Sequence, residues 1–275
     1  MLILSRTLVL LLTLVAVPQA SRGILDRCQV NRDSVAHSKL PDALAEVSGL
    51  AAGPGGTLLT HGDEYGTVTV LDGKSLQVVR AVNLQGNPRD DFEGIATAGD
   101  SVALMTSAGR LYFFQLGTAP AARYSMVGTG LGRYCDLEGL AWHRVSGTLL
   151  LPCKQPRGAA KGVQVLTVFR YRLGPTPGTI PPIVVRAAEL SRVAGVPELR
   201  ATSVEVDQAT GHLLVLSSNP AMVVEIDSAG SAIGATFLPL KRHPQPEGLT
   251  LTPDAMWIAD EGAGRKGTLM RYPCK

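Results

Sequence analysis

Asp91-Phe92-Glu93-Gly94-Ile95 returns as Asp136-Leu137-Glu138-Gly139-Leu140, and a third time, without its first carboxylate, as Gln245-Pro246-Glu247-Gly248-Leu249. Carboxylates two apart on an extended segment project from one face of a strand, and the following glycine removes a side chain where backbones crowd. Aligned on that glycine, the chain carries markers at Gly49, Gly94, Gly139, Val204 and Gly248, at intervals of 45, 45, 65 and 44 residues.

Each unit repeats one pattern. A short strand (47–51, 138–142) is followed by a turn and an apolar strand (57–60, 102–105, 148–151, 212–216, 256–259). A third strand rich in β-branched and aromatic residues comes next (67–71, 111–114, 165–169, 222–226, 268–272), with a fourth at 77–83 in the first unit. Repeats of about 45 residues built from three or four strands are the signature of a β-propeller. The fold expected is all-β, a five-bladed propeller. The long third interval reads as an insertion around 173–199, and a short hidden unit there is the six-bladed alternative. Because the last unit stops after its third strand, an N-terminal strand from 28–40 is expected to complete it.

The 275 residues, 45% of them hydrophobic, suit one large domain. Arg6, the apolar run 8–17 and the small residues Ala20, Ser21 and Gly23 have the layout of a secretory signal peptide, assigned to 1–23, leaving 24–275 as a single propeller domain. The apolar run is shorter than a membrane span of about 20 residues. A secreted or periplasmic protein without a stable span follows as the expectation, and a monomer with it. The formal charge of +3 falls to about +1 when Arg6 and Arg22 leave, because Lys+Arg drops from 26 to 24 against 23 acids. The basic residues are scattered, so nucleic acid is not an expected partner.

Four cysteines allow three pairings in an oxidising compartment. Cys28 and Cys274 stand near the two ends, while Cys135 and Cys153 flank a hairpin turning near 144–147, so those two pairs are favoured over free buried thiols. A Cys28–Cys274 bond closes a loop long enough to stabilise by roughly 4–5 kcal/mol.

Glu46-Val47-Ser48-Gly49-Leu50 with His61-Gly62-Asp63-Glu64, the Asp91 motif, and Pro246-Glu247-Gly248-Leu249 with Ala259-Asp260-Glu261 resemble the SdiA-regulated family of exported bacterial β-propellers, and more distantly the esterase-like phytase propellers. The resemblance implies five blades, calcium in the central channel and no firmly established activity. Ala201-Thr202-Ser203-Val204 departs from it by carrying no acid, which puts a complete acidic ring in doubt.

In a propeller the first strand of each blade lines the axis. Ser48, Glu93, Glu138, Ser203 and Glu247 would then form one ring, and Glu46, Asp91, Asp136, Ala201 and Gln245 a second. At an effective dielectric near 20, two carboxylates about 6 Å apart repel by roughly 3 kcal/mol. The six acids must therefore bind cations, take up protons, or both. Oxygen-only ligands point to Ca2+ first and Mg2+ second, and zinc is disfavoured because no His or Cys in these motifs has ligand spacing. A polar channel holding water is the alternative. The loops after the second strands add Asp63, Glu64, Ser107, Lys154, Ser218, Asn219, Asp260 and Glu261 to the same mouth, with His61, Tyr65, Arg110, Arg157 and Arg265 nearby. His143 and His212, beside hairpin turns, are expected at the surface.

Two functions fit this reading. One is a binding propeller that takes an unidentified small molecule or an exported protein at its mouth. The other is a metal-dependent hydrolase of a phosphoester, ester or lactone, with Glu93, Glu138 or Glu247 as base.

Overall fold

The computed structural model describes residues 23–28, 30, 36–99, 101–158 and 165–275. Residues 1–22 of the expected signal peptide lie outside them. Among the described residues no helix is long and apolar enough to cross a membrane.

Among the described residues five sheets form the five blades, antiparallel throughout except that the short strand Ala121–Ala122 pairs parallel with Val78–Leu84 at the outer edge of blade I. Blade I holds Val47–Ala52, Thr57–Gly62, Thr67–Asp72 and Val78–Leu84; blade II holds Phe92–Ala98, Ser101–Thr106, Arg110–Gln115 and Tyr124–Gly128. Blade III holds Cys135–Leu137 and Ala141–His143, then Thr148–Pro156, Val165–Arg172 and Gly178–Arg186. Blade IV holds Arg200–Val206, Leu213–Asn219, Ala221–Ile226 and Ala232–Phe237. Blade V takes Pro246–Thr252, Ala255–Asp260 and Thr268–Pro273 from the C-terminus, and Ala36–Lys39 pairs antiparallel with Thr268–Pro273 as its outer strand. The N-terminal strand thus closes the last blade as the strand count requires. The long third interval holds the outer strand of blade III and the helix Ala187–Ala194, which packs against the outer strands of blades III and IV. Among the described residues it forms no sixth sheet.

The second strands read as continuous apolar runs because both of their faces are buried. Val102 and Leu104 enter the core between blades I and II, whereas Ala103 and Met105 enter the core between II and III. Leu213 and Val215 likewise serve the III–IV core, and Leu214 and Leu216 the IV–V core. Successive side chains on a strand point to opposite faces, so a blade packed on both sides needs an unbroken apolar strand. Core material lies between every adjacent pair of blades, and the ring closes where Leu50 and Trp257 share the V–I core.

The marker glycines have a shared steric cause. A Cβ on Gly94 would stand 2.7 Å from the carbonyl carbon of Gly139, and one on Gly139 would stand 2.5 Å from Ser203 Cα. Neighbouring inner strands touch through their backbones there, and Gly139 N–H donates to Glu93 O at 2.5 Å. Gly139 also has φ +77°, a region that side-chain-bearing residues avoid.

Both disulfides expected from position are formed, Cys28–Cys274 and Cys135–Cys153, and no cysteine is free among the described residues. His212 corrects its expectation: its Nδ1 lies 2.8 Å from the Glu225 carboxylate, which is only 2% exposed. The same carboxylate accepts Ile24 N–H at 2.9 Å and Leu25 N–H at 3.1 Å, which anchors the start of the described chain to blade IV.

Candidate functional site

The inner strands are bulged at the ring positions. In blade I the partners are Val47↔Gly62 and then Gly49↔His61; in blade II, Phe92↔Thr106 and then Gly94↔Met105; in blade V, Pro246↔Asp260 and then Gly248↔Ala259. Ser48, Glu93 and Glu247 are the extra residues, without a partner of their own. In blade III the strand breaks between Leu137 and Ala141, and Glu138 N–H bonds Pro152 O at 3.2 Å. A bulge bends the strand and re-aims one side chain, and a strand with one unpaired edge tolerates it.

Blade IV shifts the expected register by one. Its partners are Ala201↔Ser217 and then Ser203↔Leu216, so Thr202 is the bulged residue and Ser203 stands where the other blades have glycine. Ser203 is buried, and its Oγ accepts Leu249 N–H at 3.3 Å, while Thr202 Oγ1 donates to Pro246 O at 2.7 Å. Both hydroxyls tie blade IV to blade V rather than facing an open channel. With Ser203 as the marker, the last interval becomes 45 residues and matches the first two.

Glu93, Glu138 and Glu247 form one electrostatic cluster with Lys154, whose Nζ lies 2.5 Å from Glu138 Oε1. Burial, then the neighbouring charges of Glu138 and Asp91, push the Glu93 carboxyl up to about 10. Burial also raises Glu247 to about 8, with Glu138 adding to the rise and Lys154 opposing it. Glu138 rises to about 7 through burial, held back by its ion pair with Lys154. The Lys154 ammonium itself is disfavoured by burial, yet Glu138, Glu247 and Glu93 together hold its pKa above the ordinary value.

Of the second set of acids, Asp91 acts on Glu93 and Glu138, and Asp136 on Glu138. Asp91 accepts a hydrogen bond from Ser107 Oγ, and Asp136 pairs with Arg157 at 2.6 Å. Glu46, Asp63 and Glu64 line a separate cavity of about 350 Å³. Burial raises the Asp63 pKa, as do the charges of Glu64 and Asp91, and burial raises Glu261, as do Glu46 and Asp63. Glu64 is paired with Arg89 at 2.9 Å, and Gln245 Nε2 donates to Glu261 at 3.3 Å. Ser48 Oγ reaches Glu46 O at 3.5 Å, and Asn219 is exposed at the end of its strand.

Asp260 turns elsewhere. Its Oδ2 lies 2.7 Å from His243 Nδ1, His243 Nε2 meets the Tyr272 hydroxyl, and all three side chains are buried. Sequence inspection did not find this network, because its members lie 17 and 29 residues apart on three separate segments. Asp90, also missed, takes Arg110 Nε at 2.9 Å and the Tyr112 hydroxyl at 3.0 Å, which commits the Arg110 guanidinium to an ion pair. His61 is fully buried with its Nδ1 2.9 Å from Gly62 O and its Nε2 without a hydrogen-bond partner among the described residues, and burial lowers its pKa to about 4.

The family model described as SdiA-regulated matches residues 31–263. The chain belongs to the SdiA-regulated family. We found no match among curated proteins. Among solved structures, Myxococcus xanthus glutaminyl cyclase is similar at a TM-score of 0.56 and 18% identity, covering 87% of this chain and 97% of that one. The virginiamycin B lyase of Staphylococcus aureus follows at a TM-score of 0.46 and 11% identity, covering 84% and 68%. At such identities the glutaminyl cyclase likeness speaks to the propeller fold alone.

Proposed function

We propose that this member of the SdiA-regulated family is an exported, monomeric propeller that holds a hard divalent cation at its channel mouth, calcium first and magnesium second. There it takes an unidentified small molecule or an exported protein partner. One observation carries the reading: Glu93, Glu138 and Glu247, from blades II, III and V, share one site with a single ammonium, that of Lys154. Three carboxyls against one ammonium leave an acid excess, and burial makes each charge costly until a cation or proton offsets it.

The donor chemistry fits. The cluster supplies carboxylate oxygens, with the Asp91 charge acting on Glu93 and Glu138, and oxygen is the ligand that calcium and magnesium prefer. Among the described residues no three acids or histidines are already drawn together as a metal-holding group, and Lys154 sits on Glu138. A cation would be held by Glu93, Glu138 and Glu247, with Lys154 released toward a ligand. Export is supported by the two disulfides, which persist in oxidising compartments.

Elemental analysis of purified protein, followed by calorimetric titration with Ca2+ and Mg2+, tests this. Stoichiometric binding that Glu93→Gln, Glu138→Gln and Glu247→Gln each weaken is expected. Protein that neither carries a cation nor binds one at millimolar concentration sinks the proposal.

A metal-dependent hydrolase is the second reading, favoured by Glu138, whose pKa near 7 suits proton transfer at neutral pH. A bound cation would polarise the substrate. Glu138 would accept a proton from water, and Lys154 would orient an anionic group of the substrate. Absence of turnover on phosphoester, ester and lactone panels with calcium present removes it.

A further inference from the structure

We propose that a second site, a cavity of about 630 Å³ on blade V, binds a small organic anion with an acidic head, carboxylate or phosphate, on an apolar body. Its walls come from the loop before the inner strand of blade V and from the loop 261–266. Lys241, Arg242, Arg265 and Lys266 line it with His37, and among the described residues Glu261 is the one lining acid.

Several cations elsewhere are already neutralised. Arg27, Arg89, Arg110, Arg157 and Arg271 each pair with a carboxylate. Lys241 and Arg265 have no carboxylate partner among the described residues, and Lys266 pairs only across the cavity edge with Asp42, whose side chain is 83% exposed. Exposed pairs of that kind are weak, so these charges remain available to an anion. Arginine and lysine together suit a carboxylate or phosphate head, arginine through paired N–H donors and lysine as a point charge. Met270, Pro244 and Ala263 offer the apolar wall on which a hydrocarbon body would lie.

The site is also built in advance. Gly262 N–H bonds Ala45 O at 2.8 Å, Arg265 N–H bonds Gly262 O at 3.0 Å, and Leu40 N–H bonds Gly267 O at 2.8 Å, which pins the loop to blade I and to the N-terminal strand. A Cβ at Gly262 would stand 2.1 Å from Arg265 O, so the turn that presents Arg265 requires glycine. Below the cavity Arg242 reaches the Tyr272 hydroxyl, which continues through His243 to Asp260. That buried chain gives Arg242 a rigid base and gives the His243 network a role that the channel does not supply. Ordering cost on binding is correspondingly low.

Calorimetry on the full chain with octyl phosphate, inorganic phosphate and octyltrimethylammonium tests this site. Octyl phosphate is expected to bind at one site, inorganic phosphate more weakly, and the cationic amphiphile not at all. Lys241→Gln with Arg265→Gln should weaken octyl phosphate by about tenfold or more, with Lys241→Gln alone giving an intermediate loss. Both residues are exposed, and an unchanged melting temperature would certify the fold. Raising salt should weaken binding further. Glu93→Gln, which removes a channel acid that does not line this cavity, should leave octyl phosphate affinity unchanged, so this site and the channel site fail or stand separately. Lack of octyl phosphate binding at millimolar concentration, equal binding of the cationic amphiphile, or an affinity indifferent to the double variant would overturn the proposal.

Discussion

Lys154 Nζ lies 2.5 Å from Glu138 Oε1, at a point where the charges of Glu93 and Glu247 also act on it. The lysine enters from the second strand of blade III and the glutamate from the broken inner strand of the same blade. The pair is local, yet its partners come from blades II and V. A cation entering this cluster competes with the ammonium for Glu138.

Replacing Lys154 by methionine therefore has an unusual expected sign. It removes a positive charge that repels an incoming cation and frees one carboxylate, so calcium affinity should rise by about tenfold or more. The cation-free protein should melt lower, because three acids lose their counter-charge. Calorimetry and thermal melts of Lys154→Met check both parts, and a calcium affinity that falls or does not move speaks against a cation at Glu138.

The same cluster sets a pH dependence. Glu138, Glu247 and Glu93 are pushed up to about 7, about 8 and about 10 in the folded protein, from an ordinary glutamate value of 4.5. The native state thus keeps protons that the unfolded chain has released. Stability from these groups is complete below the unfolded value and is lost as pH rises through each folded one. Melting temperatures of cation-free protein should fall from pH 5 to pH 9, and the triple Glu→Gln variant should flatten that slope. His61 acts with the opposite sign. Burial lowers its folded pKa to about 4, below the ordinary imidazole value of 6.5, so its contribution is lost as pH falls, and His61→Met should relieve the acid limb.

The marker glycines predict a steric cost that depends on position. A methyl group at Gly94 meets the Gly139 backbone, and one at Gly139 meets Ser203 Cα on top of a positive φ. Gly94→Ala and Gly139→Ala should each destabilise by about 1–3 kcal/mol, Gly139→Ala more, in denaturant unfolding. Gly128→Ala, where a methyl group would meet nothing within 4 Å, is the control and should cost little.

These contacts also explain what could be read from the chain beforehand. Blade number and the placement of Glu93, Glu138 and Glu247 were legible because backbone crowding between inner strands recurs with the repeat and selects glycine. The fourth blade was misaligned by one because Ser203 can occupy the crowded place when its Oγ finds Leu249 N–H. Small size with a satisfied hydroxyl meets the same constraint, and no motif records it. His212, His243 and Asp90 were illegible for a different reason: their roles are set by Glu225, by Asp260 with Tyr272, and by Arg110 with Tyr112, on other strands. Separation along the chain hides such partners until the blades are folded.

Closure of the ring gives the last prediction. Ala36–Lys39 is held in blade V through one ladder with Thr268–Pro273, and Cys28–Cys274 ties the two ends together over 246 residues. Without the bond the outer strand is held by that ladder and by the Glu225 anchor alone, and its departure exposes the edge of Thr268–Pro273 and part of the core that Ile24, Cys28 and Val30 share with Tyr272. Chain entropy puts the stabilisation from so long a loop at roughly 5 kcal/mol, much larger than that from the short Cys135–Cys153 loop only if the outer strand is ordered by it alone. The antiparallel ladder and the Glu225 anchor share that task, so Cys28→Ser with Cys274→Ser should lower stability by less, about 2–4 kcal/mol. Amide exchange should then quicken first in 36–39 and 268–273, with blades II and III unchanged. Uniform quickening over all five blades would show that the ring opens as one unit, and the bond would then act on the whole propeller rather than on its seam.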